Sequence, residues 1–432
     1  MNDLLAARVQ MAASLGFHII FASIGMAMPF LMAAAHRRWL LTGDVVYRDL
    51  TRAWSKGVAI FFAIGAVSGT ALSFELGLLW PEFMRHAGAI IGMPFSLEGA
   101  AFFVEAVALG LFLYGWDRMP PWVHWASGVV VGLSGVASAY FVVCANAWMN
   151  APAGFRWVDG AAVDIDPIAA MFNRRSTDLG IHMILAAFIA TSAAVAGLHA
   201  WLLLRSPGSA LHRRALRVAL PFLAVSALLQ PLSGDRTAKA TAATQPIKFA
   251  AMEAHFETTT QAPLLIGGWP DAETGTVRYG LHVPKLLSFL AFGDLDAEVP
   301  GLNDFPRNEW PPILPVHLAF QIMVAGGAAL IALGLLYLTL RLWRPRWLDH
   351  RRFLWAVALG TPLGFIALEA GWVVTEVGRQ PWIIQGVMRT RDAVTPMPGL
   401  VFTCALFVTL YAFLAFVAAW LLARQIRALP PP

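Results

Sequence analysis

An all-α membrane bundle of about nine transmembrane helices is the fold this sequence predicts, with the N-terminus periplasmic and the C-terminus cytoplasmic. Three observations predict it. The 432 residues are 58% hydrophobic and only 13% charged, too little polar surface to cover a soluble globule. Nine apolar stretches approach the roughly 20 residues that cross a hydrocarbon core of about 30 Å. Arginines follow every odd-numbered stretch, the pattern that marks cytoplasmic loops.

The stretches fall at about 13–35, 53–76, 94–116, 124–147, 179–203, 216–234, 315–340, 353–375 and 399–423, each bounded by charge, Pro or Gly clusters. Backbone groups in lipid must bond within their own helix or in a closed barrel, and a barrel's ten-residue alternation of apolar and polar positions is not found. Arg37, Arg38, Arg48 and Arg52 follow the first span, Arg118 the third, and Arg205, Arg213, Arg214 and Arg217 the fifth. Arg341, Arg344, Arg346, Arg351 and Arg352 follow the seventh, and Arg424 and Arg427 the ninth. These clusters account for most of the formal +5 charge as topology signals, so a nucleic-acid partner is not expected. The start, Met1 to Arg8, is nearly uncharged and leads into a full-length span without a small-residue cleavage site, so the first span is expected to stay. Cys144 and Cys404 lie in separate apolar stretches, which excludes a disulfide framework and a covalent CxxCH haem site.

The outer side carries an acidic loop with Asp159, Asp164, Asp166 and Asp178, and a long segment, 235–314, inside what otherwise reads as a single membrane domain over 1–432. Connections of that length are more often functional than plain links. Its first half, from Thr244 through Lys248 and Glu253, reads as a short amphipathic helix; its second half, rich in Gly, Pro and Asp, reads as irregular loop.

Ionisable side chains inside apolar helices are costly, about 2.5–3.5 kcal/mol at mid-bilayer, and are functional candidates by default. His18, Glu98, His182, Met323 and Glu376 sit on five different spans, each within about two turns of the outer end, so a layer of metal ligands near one face is expected. His317, at the same helix start as Met323, is an equally good ligand by chemistry. Met alone is more often a core filler. A lone His near a helix end more often bonds a carbonyl or headgroup, the reading given to His36, His199, His212 and His350 among the arginines and to His86, His255 and His282 in outer loops. Glu98 and Glu105 are seven residues apart, close to two turns, so both carboxylates share a face with Glu105 about 10 Å deeper, as a relay requires. Pairing with Arg or Lys in a packed interface is the plainer alternative for them. Ser138 and Lys56 extend such a relay from neighbouring helices. The run Glu376-Val-Gly-Arg-Gln-Pro-Trp382 brings a carboxylate, a guanidinium and an indole together; Arg379 suits a paired carboxylate such as a haem propionate, and Trp382 also suits interfacial anchoring.

The stretches Ala7-Arg-Val-Gln10 with His18, Leu97-Glu-Gly-Ala-Ala-Phe-Phe-Val-Glu105, Gly115-Trp-Asp-Arg118, Ala145-Asn-Ala-Trp-Met149, Gln245-Pro-Ile-Lys248 with Glu253, Phe320-Gln-Ile-Met-Val324, Glu369-Ala-Gly-Trp372 and Gly378-Arg-Gln-Pro-Trp382 together resemble subunit I of the cytochrome bd-type quinol oxidases. The match runs in order along nearly the whole chain. The resemblance implies a multi-pass subunit of the bacterial cytoplasmic (inner) membrane that oxidises quinol and reduces dioxygen to water. It implies three haems: a low-spin haem b ligated by His182 and Met323, and two high-spin haems, a haem b and a haem d or third haem b, ligated by His18, with Glu98 close, and by Glu376. Trp372, Arg379 and Trp382 contact the cofactors by the same likeness. Lys248 and Glu253 fall on the quinol-oxidising positions of the segment called the Q-loop, and Glu105, Ser138 and Lys56 on a cytoplasmic proton path. Expected partners are subunit II, a small single-span subunit, membrane quinol, dioxygen and lipid. Release of quinol protons outside and uptake of oxygen's protons from inside build a membrane potential without pumping.

Three departures stand out. Gln321 sits beside Met323 where better-known members carry Arg, which removes a charge near the low-spin haem and lowers its potential. The Q-loop is short, as in the cyanide-insensitive subgroup, and the Glu98–Glu105 interval is one residue shorter than in long-loop members. A transporter using Glu98, Glu105 and Glu376 for a cation or proton is the rival from another class; the inverted repeat and broken helices that would favour it are not visible.

Overall fold

Nine helices long and apolar enough to cross a membrane organise the computed structural model, which describes residues 2–158 and 161–427; Asp159 of the acidic loop lies outside the described residues. The spanning helices are α1 (Asp3–Thr42), α2 (Val45–Leu79), α3 (Pro81–Tyr114) and α4 (Pro121–Asn150). A hairpin of β1 (Arg156–Val158) and β2 (Ala161–Val163) and a short α5 (Pro167–Met171) then lead to α6 (Ser176–Arg205) and α7 (Ala210–Thr244). The long connecting segment holds α8 (Pro246–Glu253), β3 (Thr259–Thr260), β4 (Leu264–Asp271), β5 (Thr276–Val283), α9 (Leu286–Phe292) and β6 (Glu298–Val299). After it come α10 (Ile313–Trp343), the two halves of one span, α11 (Arg351–Leu359) and α12 (Leu363–Val377), then β7 (Trp382–Ile384), β8 (Met388–Arg389), α13 (Thr390–Ala393) and α14 (Leu400–Arg427).

The helices are longer than the apolar stretches that reveal them. At 1.5 Å per residue the 40 residues of α1 extend about 60 Å, twice a hydrocarbon core. Polar caps set the true ends: the Asn2 side chain accepts from Leu5 N at 2.9 Å and the Asp44 side chain from Val46 N at 3.0 Å. A depth counted from a helix end is therefore wrong. Glu98 is nearly five turns, not two, from the start of α3 at Pro81.

The bundle is assembled around α1, which packs against α2, α4, α6 and α14; α6 packs on α7 and α12, and α12 on α10. Small residues make the closest crossings, the usual device where lipid provides no hydrophobic drive. A Cβ on Gly364 of α12 would stand 2.5 Å from the backbone Cα of Ala190 on α6, so only glycine allows that approach. One inner cluster runs from Met28, Leu31 and Met32 through Ala193 and Ala196 to Leu220, Leu223 and Leu330. Phe74, Phe103, Phe402 and Phe416 remain exposed on the periphery, where lipid or a partner subunit lies.

Three readings of the connecting segment are corrected. Helix α7 continues ten residues past 234, to Thr244, because Thr and Ala sustain it where the apolar run ends. The supposedly irregular second half contains the antiparallel β4–β5 hairpin, turned by Asp271, whose side chain accepts from Glu273 N at 2.9 Å, and by Gly275 at φ +66°. Helix α8 is also not a surface helix: Lys248 through Glu253 are all buried. His36, His199 and His212, expected at the interface, are buried too. Trp54 Nε1 donates to His199 Nε2 at 3.1 Å, and the Nδ1 atoms of His199 and His212 stand 3.0 Å apart; His36 is enclosed by Trp39, Phe112, Trp116 and His124. Polar groups so far from water are tolerated when they pair or stack on aromatic faces.

Candidate functional site

Relative depth is fixed by contacts between neighbouring helices. A Cβ at Gly25 of α1 would lie 3.9 Å from Oε1 of Glu105 on α3, and His18 and Glu98 each precede their partner by seven residues on helices running the same way. His18 and Glu98 therefore share a level, about 10 Å nearer the Q-loop end than Glu105. Ser138 Oγ donates to Glu98 Oε1 at 3.4 Å; Tyr140, two residues along α4, packs on Gly180, two residues before His182. This brings His182 to the same level. Met323 Sδ lies 3.2 Å from a Cβ position at Gly371, and Glu369 faces Gly16, which puts Met323 a few ångströms nearer the loop end. Glu376, five residues past Gly371 on α12, stands about 7.5 Å nearer still. The expected single layer is two-tiered.

The local chemistry prepares individual groups. His18 Nδ1 lies 3.0 Å from Ser68 Oγ, and Ser68 gives its one proton to the Gly65 carbonyl at 3.1 Å. With its proton on that carbonyl the serine accepts from Nδ1–H, and His18 Nε2 then keeps its lone pair, the form in which histidine ligates a metal. Gly69 makes room for that ring: a Cβ there would be 2.9 Å from His18 Cε1. His182 faces Gln230 Nε2, at 3.3 Å from Nδ1 and 3.2 Å from Nε2, and Ser233 Oγ at 3.4 Å. His317 is not available as a ligand, because Nδ1 lies 2.8 Å from the Met252 carbonyl and Nε2 3.0 Å from the Gly267 carbonyl. Met323 is the candidate that α10 leaves.

At the Q-loop end, Arg379 Nη2 pairs with Glu376 Oε2 at 2.6 Å, and Asn146 Nδ2 donates to Glu376 Oε1 at 2.5 Å. Arg379 is 2% exposed, and its Nε and Nη1 have no partner among the described residues. A buried guanidinium with two unused donors is built for an anion with paired oxygens. Beside it a cavity of about 240 Å³ is lined by Gln245, Lys248, Glu309, Arg379, Gln380 and Trp382 among others. Lys248 Nζ donates to Asn150 Oδ1 at 3.1 Å and to the Thr375 carbonyl at 3.0 Å. Burial, then the adjacent Arg379 charge, brings the Lys248 ammonium down to about 7. Burial alone pushes Glu253 up to about 8, with its Oε2 unpartnered. Five residues apart on one helix, the two groups point about 140° away from each other, so they do not line a common wall.

Trp372 packs with Leu15 and Ile19 of α1 and Met183 of α6, between the His18 and His182 helices. Trp382 lies under the Arg389 guanidinium at 5.1 Å. Lys56 is on an exposed face of α2 with no hydrogen bond or ion pair among the described residues. Sequence reasoning passed over Glu369, which faces α1 with Oε1 unpartnered, and Glu75, 1% exposed and held by Gln10 Nε2 at 3.2 Å. The seven-residue interval from Glu369 to Glu376, equal to that of Glu98 and Glu105, was the available signal for the first. Nothing local marks the second.

Five spanning helices carrying partly buried histidine, methionine and carboxylate groups, capped by an enclosed loop helix with Lys and Glu, suit a membrane oxidoreductase. The chain belongs to the cytochrome bd terminal oxidase subunit I family, whose model matches residues 6–430. It is similar to the solved bd oxidase from Geobacillus thermodenitrificans, at 37% identity and TM-score 0.94, covering 99% of each chain. It is 29% identical to the cytochrome bd ubiquinol oxidase subunit 1 of Bacillus subtilis (strain 168), over 99% of this chain and 94% of that protein. To the cytochrome bd-II ubiquinol oxidase subunit 1 of Escherichia coli (strain K12) it is 28% identical, over 98% of this chain and 96% of that one. The protein is thus a multi-pass inner-membrane component of a haem-containing terminal oxidase acting in electron transport.

Proposed function

We propose that this subunit oxidises membrane quinol at the α8 end of the bundle and passes the electrons to three haems at which dioxygen is reduced to water. His182 and Met323 hold a low-spin haem b; His18, with Glu98 beside it, and Glu376 hold two high-spin haems, one a haem b and the other a haem d or a third haem b. The observation that carries this reading is the His18–Ser68–Gly65 chain, which leaves His18 Nε2 as a free lone pair on the level of Glu98 and His182. The unused Arg379 donors suit a propionate. Bound haem supplies the one-electron steps and the reduction of oxygen; the rest is done by the chain.

Lys248 and Glu253 serve the quinol hydroxyls. A group that titrates near 7 or 8 can take a proton at neutral pH and return it to water on the loop side. Ser138 holds the Glu98 carboxylate, and Glu105, about 10 Å further from the loop end, hands protons towards it from the arginine-rich end. Protons leave on one face and enter from the other, so turnover is electrogenic without pumping. Trp372 fills the space between the low-spin and His18 positions and sets their separation. Subunit II and a small single-span subunit cover the exposed phenylalanines of the outer helices.

Met323→Leu in the assembled oxidase tests the ligand assignment: the low-spin band of the reduced-minus-oxidised spectrum is lost and the high-spin bands remain. Glu253→Ala tests the quinol site: every haem band is kept and quinol turnover falls at least tenfold, about 1.4 kcal/mol. An unchanged low-spin band in the first variant, or intact turnover in the second, removes that residue from its role.

A further inference from the structure

We infer that His317 and Gln321 form a clamp that positions the quinol helix α8 and the β4–β5 hairpin on α10. The inference rests on the reading of α8 as the quinol helix. His317 is fully buried, and both ring nitrogens meet backbone carbonyls, Nδ1 that of Met252 at 2.8 Å and Nε2 that of Gly267 at 3.0 Å. A carbonyl only accepts, so the ring is held by N–H donation to this pair of carbonyls. Met252 immediately precedes Glu253, so the bond to its carbonyl seats the end of α8 that carries this group.

One turn further along α10, Gln321 Nε2 donates to the Leu265 carbonyl at 3.1 Å, and Gln321 Oε1 accepts from Gly267 N at 2.9 Å. The side-chain amide thus acts as a strand partner for β4. Gly267 offers its N–H to Gln321 and its carbonyl to His317 at the same time, which it does at φ +68°, a conformation other residues adopt only under strain. Four hydrogen bonds tie both parts of the loop to one helix.

That helix also carries Met323, two residues past Gln321 and about 9 Å from His317 by helix rise. Gln321 itself is committed to the hairpin.

The test uses the purified, haem-loaded oxidase. His317→Leu removes the ring's bonds to both carbonyls. The expected result is a quinol KM raised roughly fivefold for a lost hydrogen bond, with kcat at saturating quinol within about twofold. Gln321→Leu is the second variant: it raises KM similarly, through loss of the hairpin bonds. An unchanged KM in Gln321→Leu overturns the clamp even where His317→Leu does not assemble. Failure of the quinol-site reading itself is separately visible as normal turnover in Glu253→Ala.

Discussion

Glu253 and Lys248 make quinol oxidation pH-dependent in a direction that can be worked out. Burial raises Glu253 to about 8, so below that pH it is protonated and cannot take a quinol proton; Lys248, lowered to about 7, becomes a neutral acceptor above that value. Both effects favour the alkaline side. The quinol kcat/KM is expected to rise from pH 6 to about 8.5 and then level off, and Glu253→Gln to lose the upper part of that rise. Initial rates across the range check it; a flat profile in the unaltered enzyme would contradict the assignment. Stability follows the opposite sign for Glu253: its neutral form is favoured on folding, so that contribution is complete below the ordinary carboxylate range and is lost as pH rises through about 8. At this scale much was legible. His18, Glu98, Glu105, His182, Met323 and Glu376 announce themselves because an ionisable or soft side chain inside an apolar run is costly. The roles of Ser68 and Asn146 were not, since they depend on partners from other helices.

Among elements, α12 carries the largest share of the site, with Glu369, Trp372 and Glu376 on two turns, and its seat is the Gly364–Ala190 crossing with α6. Gly364→Val puts two methyl groups where even a Cβ meets backbone at 2.5 Å. Overpacking of this kind costs about 1–3 kcal/mol. The two helices are expected to part, with haem content per protein falling several-fold, low-spin haem first because His182 is on α6; pyridine haemochrome measures it. Element existence was readable for all nine spans, yet the ends were not. Amphipathic caps such as Asn2 and Asp44 extend helices into regions whose hydropathy has already fallen. The β4–β5 hairpin had a readable turn, Asp271-Ala-Glu-Thr-Gly275, between Leu264-Leu-Ile and Thr276-Val-Arg-Tyr; the Gly and Pro around it masked the alternation.

For the molecule as a whole, arginine clusters at one end and the Q-loop at the other predict a cytoplasmic C-terminus. A C-terminal fluorescent-protein fusion, which matures only in the cytoplasm, is expected to fluoresce, and an alkaline phosphatase fusion at the same point to stay inactive; the reverse pair inverts the topology and with it the direction of proton uptake.

Helix number and membrane residence were written in the chain, because lipid forces backbone bonds to close within each segment and penalises every misplaced polar group wherever it occurs. Which nitrogen of His18 is free, why His317 is no ligand, and how α8 is seated were decided only on packing. Their hydrogen-bond partners come from segments 50 to 65 residues away, beyond the reach of any local pattern.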